Sequence, residues 1–397
     1  DINRRVYKNI NIDNELVDFK VFWHGQQVIS VCQKSNSSIA LPLMIREVSL
    51  NHLQSSSSLS ILASSSFKHK RHNTYFSHFL GYLPSQIASY DPNRLTIIFY
   101  TLLSKYLLSQ EIKDSQNYIE YIKQLYVEND AFCGFTPNKS HFPRGIERNV
   151  PQNFFAILDL LVLGCKDFKF INVTRICENV KDFLYESCDD LRDFYMGLSI
   201  LFIFNALDET DLQNIIQLIE KDCFIENYGF TNFKKGDVHA GYVSCIANIF
   251  QILKLKFNHN IDESKKMFTF EWLCHRQIYD HKHTENKVNG GFNGRENKKA
   301  DSCYSFWNLS AMNYFQMTDR IPYDLGLYQK YILQLQDPIT GGFAKHLAED
   351  DEEYIDSDVY HSFTTLCALG LIDGILDPTL CLPKSILDAI VNSEIVF

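Results

Sequence analysis

The sequence lacks any uninterrupted apolar run of about 18 residues, the length a helix needs to cross a bilayer, so no transmembrane helix is expected. It shows no leader pattern of basic, apolar and small residues, and a cytoplasmic location is expected. It also lacks positive charge. Lys and Arg number 38 against 48 Asp and Glu, a net charge of −10, which removes the general basic footprint of a nucleic-acid binder. Cysteines at finger or redox spacing are missing. Eleven are scattered through 397 residues with no Cys-x-x-Cys pair, which excludes a disulfide framework and fits a reducing compartment. Beyond residue 67, strand-like alternation is almost absent, and this leaves helices as the main element.

What is abundant is aromatic. Thirty Phe and 21 Tyr can fill a large core or wall a lipid pocket. Residues 1–66 read as an N-terminal extension. Asp1 to Lys34 mixes polar and β-branched residues around an apolar run from Gln27 to Cys32, and Asn51 to Ser66 is serine-rich, as flexible linkers are. From residue 67 the spacing predicts a helix ending before Pro84, then one opening at Asp91-Pro92, with Asp91 as its cap and Pro92 in its first turn. Further helices are predicted over 114–127, 151–163, 172–186, 190–205, 211–221, 238–255, 262–277, 301–315, 323–335, 358–371 and 383–392. The expected fold is all-α, as one domain over 67–397.

A Gly-Phe turn recurs at Gly134-Phe135, Gly229-Phe230, Gly291-Phe292 and Gly342-Phe343, with a degenerate fifth place near Tyr185. Each is followed at a helix start by a polar residue: Asn149 or Gln152, Arg192, His239, Asp301 with Cys303, and His361. The spacing gives repeated helical hairpins, which can stack as an open solenoid or close into a ring.

The chemistry concentrates between Asn289 and Trp307, NGGFNGRENKKADSCYSFW. Arg295 and Lys298 are three apart and can grip one anion. Asp301 and Cys303 pair a hard and a soft ligand, suited to a borderline ion such as zinc. Cys303, Phe306, Trp307 and Ser310 share one helical face. Alone, Asp-x-Cys is commonly accidental and an Arg/Lys pair is commonly a solvated face. In this order the pieces closely resemble the zinc-site signature of protein prenyltransferase β subunits.

The resemblance spans about residues 67–372. It implies an α-α barrel, or toroid, of helical hairpins, and a catalytic chain that transfers an isoprenoid from its diphosphate to a cysteine thiol. It implies one zinc held by Asp301, Cys303 and His361, and it implies His239, Arg295, Lys298 and Tyr304 as catalytic diphosphate binders, joined by Lys345. VHAGYVSC resembles the family's His-Gly-Gly-Tyr-x-x-Cys, with Ala240 in place of a glycine. DDLRDFY resembles its Met-Arg-x-x-Tyr helix start. The isoprenoid pocket then falls to Thr96, Tyr100, Arg192, Tyr195, Tyr242, Cys245 and Trp307, and peptide contact to Asn149 and Tyr360. Core packing is the ordinary role for most of these side chains. The implied partners are a helical-repeat α subunit, geranylgeranyl diphosphate and the C-terminal CaaX peptides of small GTPases.

Two marks select a branch. Arg94-Leu95-Thr96 stands where farnesyltransferases have Arg-Pro-Trp. Lys345 in Gly341-Gly342-Phe343-Ala344-Lys345 stands where they place an aspartate involved with magnesium. Both resemble type I geranylgeranyltransferases, in which the lysine covers part of the ion's work. Magnesium dependence stays open, because the acidic run Glu349 to Glu353 either recruits the ion or is a solvated loop. Tyr360 and Asn149 depart from the animal type I pattern and leave the preferred final peptide residue open. The alternatives are a farnesyltransferase or Rab-type β subunit, a terpene cyclase, and a non-catalytic helical scaffold.

Overall fold

The computed structural model describes residues 4–12, 15–24, 27–34, 60–80, 83, 85–140, 149–226, 228–233, 236–279, 289–317, 321–348 and 355–397. The chain divides into two compact units, 1–59 and 60–397. The first unit holds an antiparallel meander of β1 (Arg4–Ile12), β2 (Glu15–His24) and β3 (Gln27–Lys34), in the order β1-β2-β3. Val, Ile and aromatic residues are frequent in these segments, and such residues favour extended backbone. The apolar run from Gln27 to Cys32 is therefore strand, an element the sequence reading did not assign.

The second unit starts at Ser60, upstream of the expected boundary at 67, because Ile61 and Leu62 are buried in its core. Its helices are α1 (His69–Leu80), α2 (Arg94–Leu107), α3 (Ser115–Lys123), α4 (Val150–Val162), α5 (Val173–Glu186), α6 (Leu191–Ile203) and α7 (Glu209–Asp222). They continue with α8 (Ala240–Phe257), α9 (Glu263–Cys274), α10 (Cys303–Phe315), α11 (Leu325–Gln334), α12 (Val359–Ile372) and α13 (Lys384–Val391). The even-numbered helices α2 to α12 pack side by side in chain order, and α12 packs on α2. That last contact closes the ring. On the outside α1 backs α2, α3 backs α4, α5 backs α6, α7 backs α8 and α9 backs α10. The result is an α-α toroid, all-α as expected apart from short two-stranded pairs at the turns.

Burial explains which helices are inner. Ten side chains of α4 and eleven of α8 are buried, against four of α5 and three of α9. A helix apolar on most faces belongs inside; one with a single apolar stripe belongs outside.

The Gly-Phe turns set where the inner helices begin. Phe135, Phe230, Phe292 and Phe343 have no exposed surface. Asn153 Oδ1 accepts from Phe135 N at 2.8 Å, and Ser362 Oγ accepts from Phe343 N at 2.8 Å, so a polar residue on the following inner helix satisfies the buried turn. Gly342 has φ +82°, and a Cβ there would lie 2.7 Å from Ser362 Oγ. A Cβ on Gly291 would lie 2.4 Å from the Tyr331 ring.

The opening of α2 also differs from expectation. Ser85–Asn93 is a 3-10 helix containing Pro92, and α2 starts only at Arg94. Asp91 does not cap it; its carboxylate accepts from Asn138 Nδ2 at 2.8 Å. The acidic run 349–353 and Ser55–Ser58 lie outside the described residues. Among the described residues, no helix is long and apolar enough to cross a membrane.

Candidate active site

Closure of the ring brings the starts of α8, α10 and α12 to one end. His239 precedes α8 as its cap, with Nδ1 accepting from Gly241 N at 3.1 Å. Cys303 and Tyr304 open α10, and His361 lies in the first turn of α12. The ligand atoms of Asp301, Cys303 and His361 all lie within 4.8 Å of one another. Only the fold joins His361 to the other two.

The trio is held from behind. Asp301 N donates to Phe292 O at 3.0 Å, and Cys303 N donates to Asp301 Oδ1 at 3.0 Å. His361 Nε2 lies 3.2 Å from Asp301 Oδ1, and His361 Nδ1 lies 2.5 Å from Asp358 Oδ2. Asp358 also caps α12 by accepting from His361 N. Its carboxylate therefore fixes the ring so that Nε2 faces Asp301 and Cys303, as carboxylate partners do for metal-binding histidines. Asp-x-x-His at a helix start was the signal for this partner, and the sequence reading missed it.

Electrostatics fit a cation. Burial lowers the His361 pKa, but the carboxylates of Asp301 and Asp358 outweigh it and raise the pKa to about 9. Burial, then the Asp301 carboxylate, pushes the Cys303 thiol well up. An oxygen, a sulfur and a nitrogen donor crowded together, with one nitrogen oriented from its far side, fit zinc with a further coordination position free. Asp358→Asn is expected to weaken zinc binding by roughly 10- to 100-fold, read by competition with a chromogenic chelator. Unchanged affinity would show that Asp358 serves only as a helix cap.

Beside the trio lies a cationic cavity of about 620 Å³, walled by His239, Arg295, Lys298, Tyr304, Lys345 and Asp301. Every residue expected to bind diphosphate lines it. Asn297, Lys299 and His346 also line it, and sequence reasoning did not single them out. Tyr304 OH lies 2.9 Å from His239 Nε2. Arg295 pairs with Asp237 at 2.9 Å and Lys345 with Asp301 at 3.7 Å, whereas the Lys298 ammonium has no partner among the described residues.

A second cavity, of about 370 Å³, is apolar. Thr96, Tyr100, Arg192, Tyr195, Cys245 and Trp307 line it, as expected of the isoprenoid pocket. Phe99, Phe154, Phe155 and Phe363 complete much of its wall. Tyr100 stacks on Phe363 with centroids 4.2 Å apart. Tyr360, expected at the peptide, lines this cavity too and accepts from Trp307 Nε1 at 3.1 Å. Arg192 is held by its own helix cap, Asp190, through two side-chain bonds. Tyr242, expected in this pocket, lies outside its wall with its ring 5.6 Å from that of His239. Asn149, expected at the peptide, donates from Nδ2 to Phe135 O at 2.5 Å.

A closed α-α ring that carries a possible metal-ligand trio, a cationic cavity and an apolar cavity defines a class of helical toroids. The chain belongs to the prenyltransferase alpha-alpha toroid domain family, which matches residues 67–383. It is of the β-subunit type. It is 26% identical over 353 residues to the geranylgeranyl transferase type-1 subunit beta of Dictyostelium discoideum, covering 78% of this chain and 93% of that one. It is 28% identical over 304 residues to the geranylgeranyl transferase type-2 subunit beta of Saccharomyces cerevisiae, covering 74% and 86%. Among solved structures it is similar to the Candida albicans protein geranylgeranyltransferase-I complexed with GGPP. The TM-score is 0.66 at 25% identity, covering 83% of this chain and 100% of that one.

Proposed function

We propose that this chain is the catalytic β subunit of a type I protein geranylgeranyltransferase. It would transfer a geranylgeranyl group to a cysteine thiol near the C-terminus of CaaX-type proteins, small GTPases among them, as a cytoplasmic heterodimer with an α subunit. The carrying observation is the adjacency of three parts: the Asp301, Cys303 and His361 trio, the cationic cavity beside it, and the apolar cavity reached along α10.

Asp301, Cys303 and His361 would hold zinc, whose Lewis acidity when bound keeps a sulfur ligand deprotonated at neutral pH. The remaining work belongs to side chains. The apolar walls exclude water from the prenyl chain. Arg295, Lys298, His239 and Tyr304 hold the diphosphate and stabilise the charge that grows on it as the C–O bond breaks and the C–S bond forms. Lys345 adds a cation that lowers the need for magnesium.

Thr96 supports the type I branch over farnesyltransferase. A small β-branched side chain in the apolar wall leaves room for one further isoprene, and each buried CH₂-sized group favours binding by about 0.8 kcal/mol. Thr96→Trp is expected to shift preference toward farnesyl diphosphate, read as the ratio of kcat/KM for the two lipids with one peptide. A wild type that already prefers the fifteen-carbon lipid, or a ratio unmoved by the substitution, would contradict the assignment.

A further inference from the structure

His346 lines the cationic cavity, and the mechanism above leaves it without a role. Its backbone is fixed by the site itself. Ser302 N donates to Lys345 O at 2.7 Å, and Ser302 Oγ donates to Ala344 O at 3.0 Å. The same turn that presents Cys303 and Tyr304 therefore holds the strand end that leads into His346. The side chain is half-buried. Its Nδ1 lies 3.0 Å from Leu347 O. A carbonyl can only accept, so Nδ1 carries the proton. Nε2 has no partner among the described residues. In the neutral ring Nε2 presents a lone pair, which repels a phosphate oxygen. In the protonated ring it presents an N–H, which can donate a charge-assisted hydrogen bond.

We propose that His346 is a protonation-dependent ligand of the leaving diphosphate, donating Nε2–H to a phosphate oxygen so that diphosphate binding takes up a proton. The inference rests on reading the cavity as the diphosphate site.

The other groups facing the cavity fit this role. Arg295, Lys298, Lys299 and Lys345 are the cationic groups that line the cavity with it. Asp301, the cavity's acid, is engaged by His361 and Lys345. A bound diphosphate, with several negative charges, favours the charged form of any imidazole that hydrogen-bonds to it. His239 does not compete as the proton site. Burial, then Arg295 and Arg192, lowers its pKa, and both ring nitrogens are already engaged, by Gly241 N and Tyr304 OH.

The test uses the full chain with its α partner and inorganic pyrophosphate as probe. Affinity and proton uptake are measured by calorimetry in two buffers of different ionisation enthalpy, from about pH 6 to about pH 8, the range in which an imidazole changes charge. Pyrophosphate's own titration cancels when wild type and His346→Gln are compared at the same pH. Wild type is expected to take up more protons than the variant and to bind about tenfold more tightly near pH 6, the size of one charge-assisted contact, with the gap narrowing as pH rises. His346→Lys, which keeps a charge at every pH, is expected to hold its affinity across the range. Equal proton uptake by wild type and His346→Gln overturns the inference while leaving the cavity's assignment standing. No pyrophosphate binding by wild type at any pH would instead remove the assignment itself, and this inference with it.

Discussion

Replacing His361 with alanine is expected to strip zinc from the site and abolish transfer to a thiol, while isoprenoid diphosphate still binds. The split follows from the geometry. His361 supplies the ligand trio's nitrogen, with Nε2 toward Asp301 and Nδ1 fixed by Asp358. It lines neither the cationic nor the apolar cavity. Losing a ligand outright should exceed the roughly 10- to 100-fold that loss of an outer partner costs in metal affinity. Metal content by emission spectroscopy, together with fluorescent-lipid binding, reads both halves. Full zinc occupancy with near-normal turnover would remove the assignment of the trio.

Lys298→Ala is expected to slow single-turnover transfer by about a hundredfold or more. Lys298 lines the cationic cavity and its ammonium has no partner among the described residues, so its charge is available to an incoming anion. Arg295 and Lys345 must share theirs with Asp237 and Asp301. Removing one donor that strengthens in the transition state costs roughly 2 to 4 kcal/mol, and each 1.4 kcal/mol is about tenfold in rate. Stopped-flow or rapid-quench rates with saturating lipid separate this from ground-state binding. A variant with unchanged single-turnover rates would mean that Lys298 only faces solvent.

How much was legible depended on whether a signal was local. Arg295, Lys298, Asp301, Cys303 and Tyr304 lie within one short stretch, so their order alone exposed them. The helices were legible for a similar reason: apolar spacing is written residue by residue, and α4, α5 and α8 fall within a few residues of expectation. Closure was not legible, because it depends on α12 meeting α2 across most of the chain. His361 was reached through family resemblance, since only closure brings it to Asp301 and Cys303.

The misses also have physical causes. Asp91-Pro92 reads as a helix opening, yet Asp91 is drawn to Asn138 and the α-helix waits for Arg94. Asp358 and His346 were overlooked because their significance comes from a neighbour, in one case the ring of His361 and in the other the wall of a cavity. In the first unit the polar residues interleaved with β-branched ones obscured three strands that pair antiparallel, with a register shift between Tyr7 and Ile10.

The most direct measurement is prenyl transfer by the copurified α and β chains to a peptide ending in Cys-a-a-X, with geranylgeranyl and farnesyl diphosphates supplied separately and the product sequenced by mass spectrometry. The account predicts a thioether on the peptide cysteine, formed faster from the twenty-carbon lipid and lost when zinc is chelated. No thioether from either lipid, or transfer indifferent to zinc removal, would contradict it.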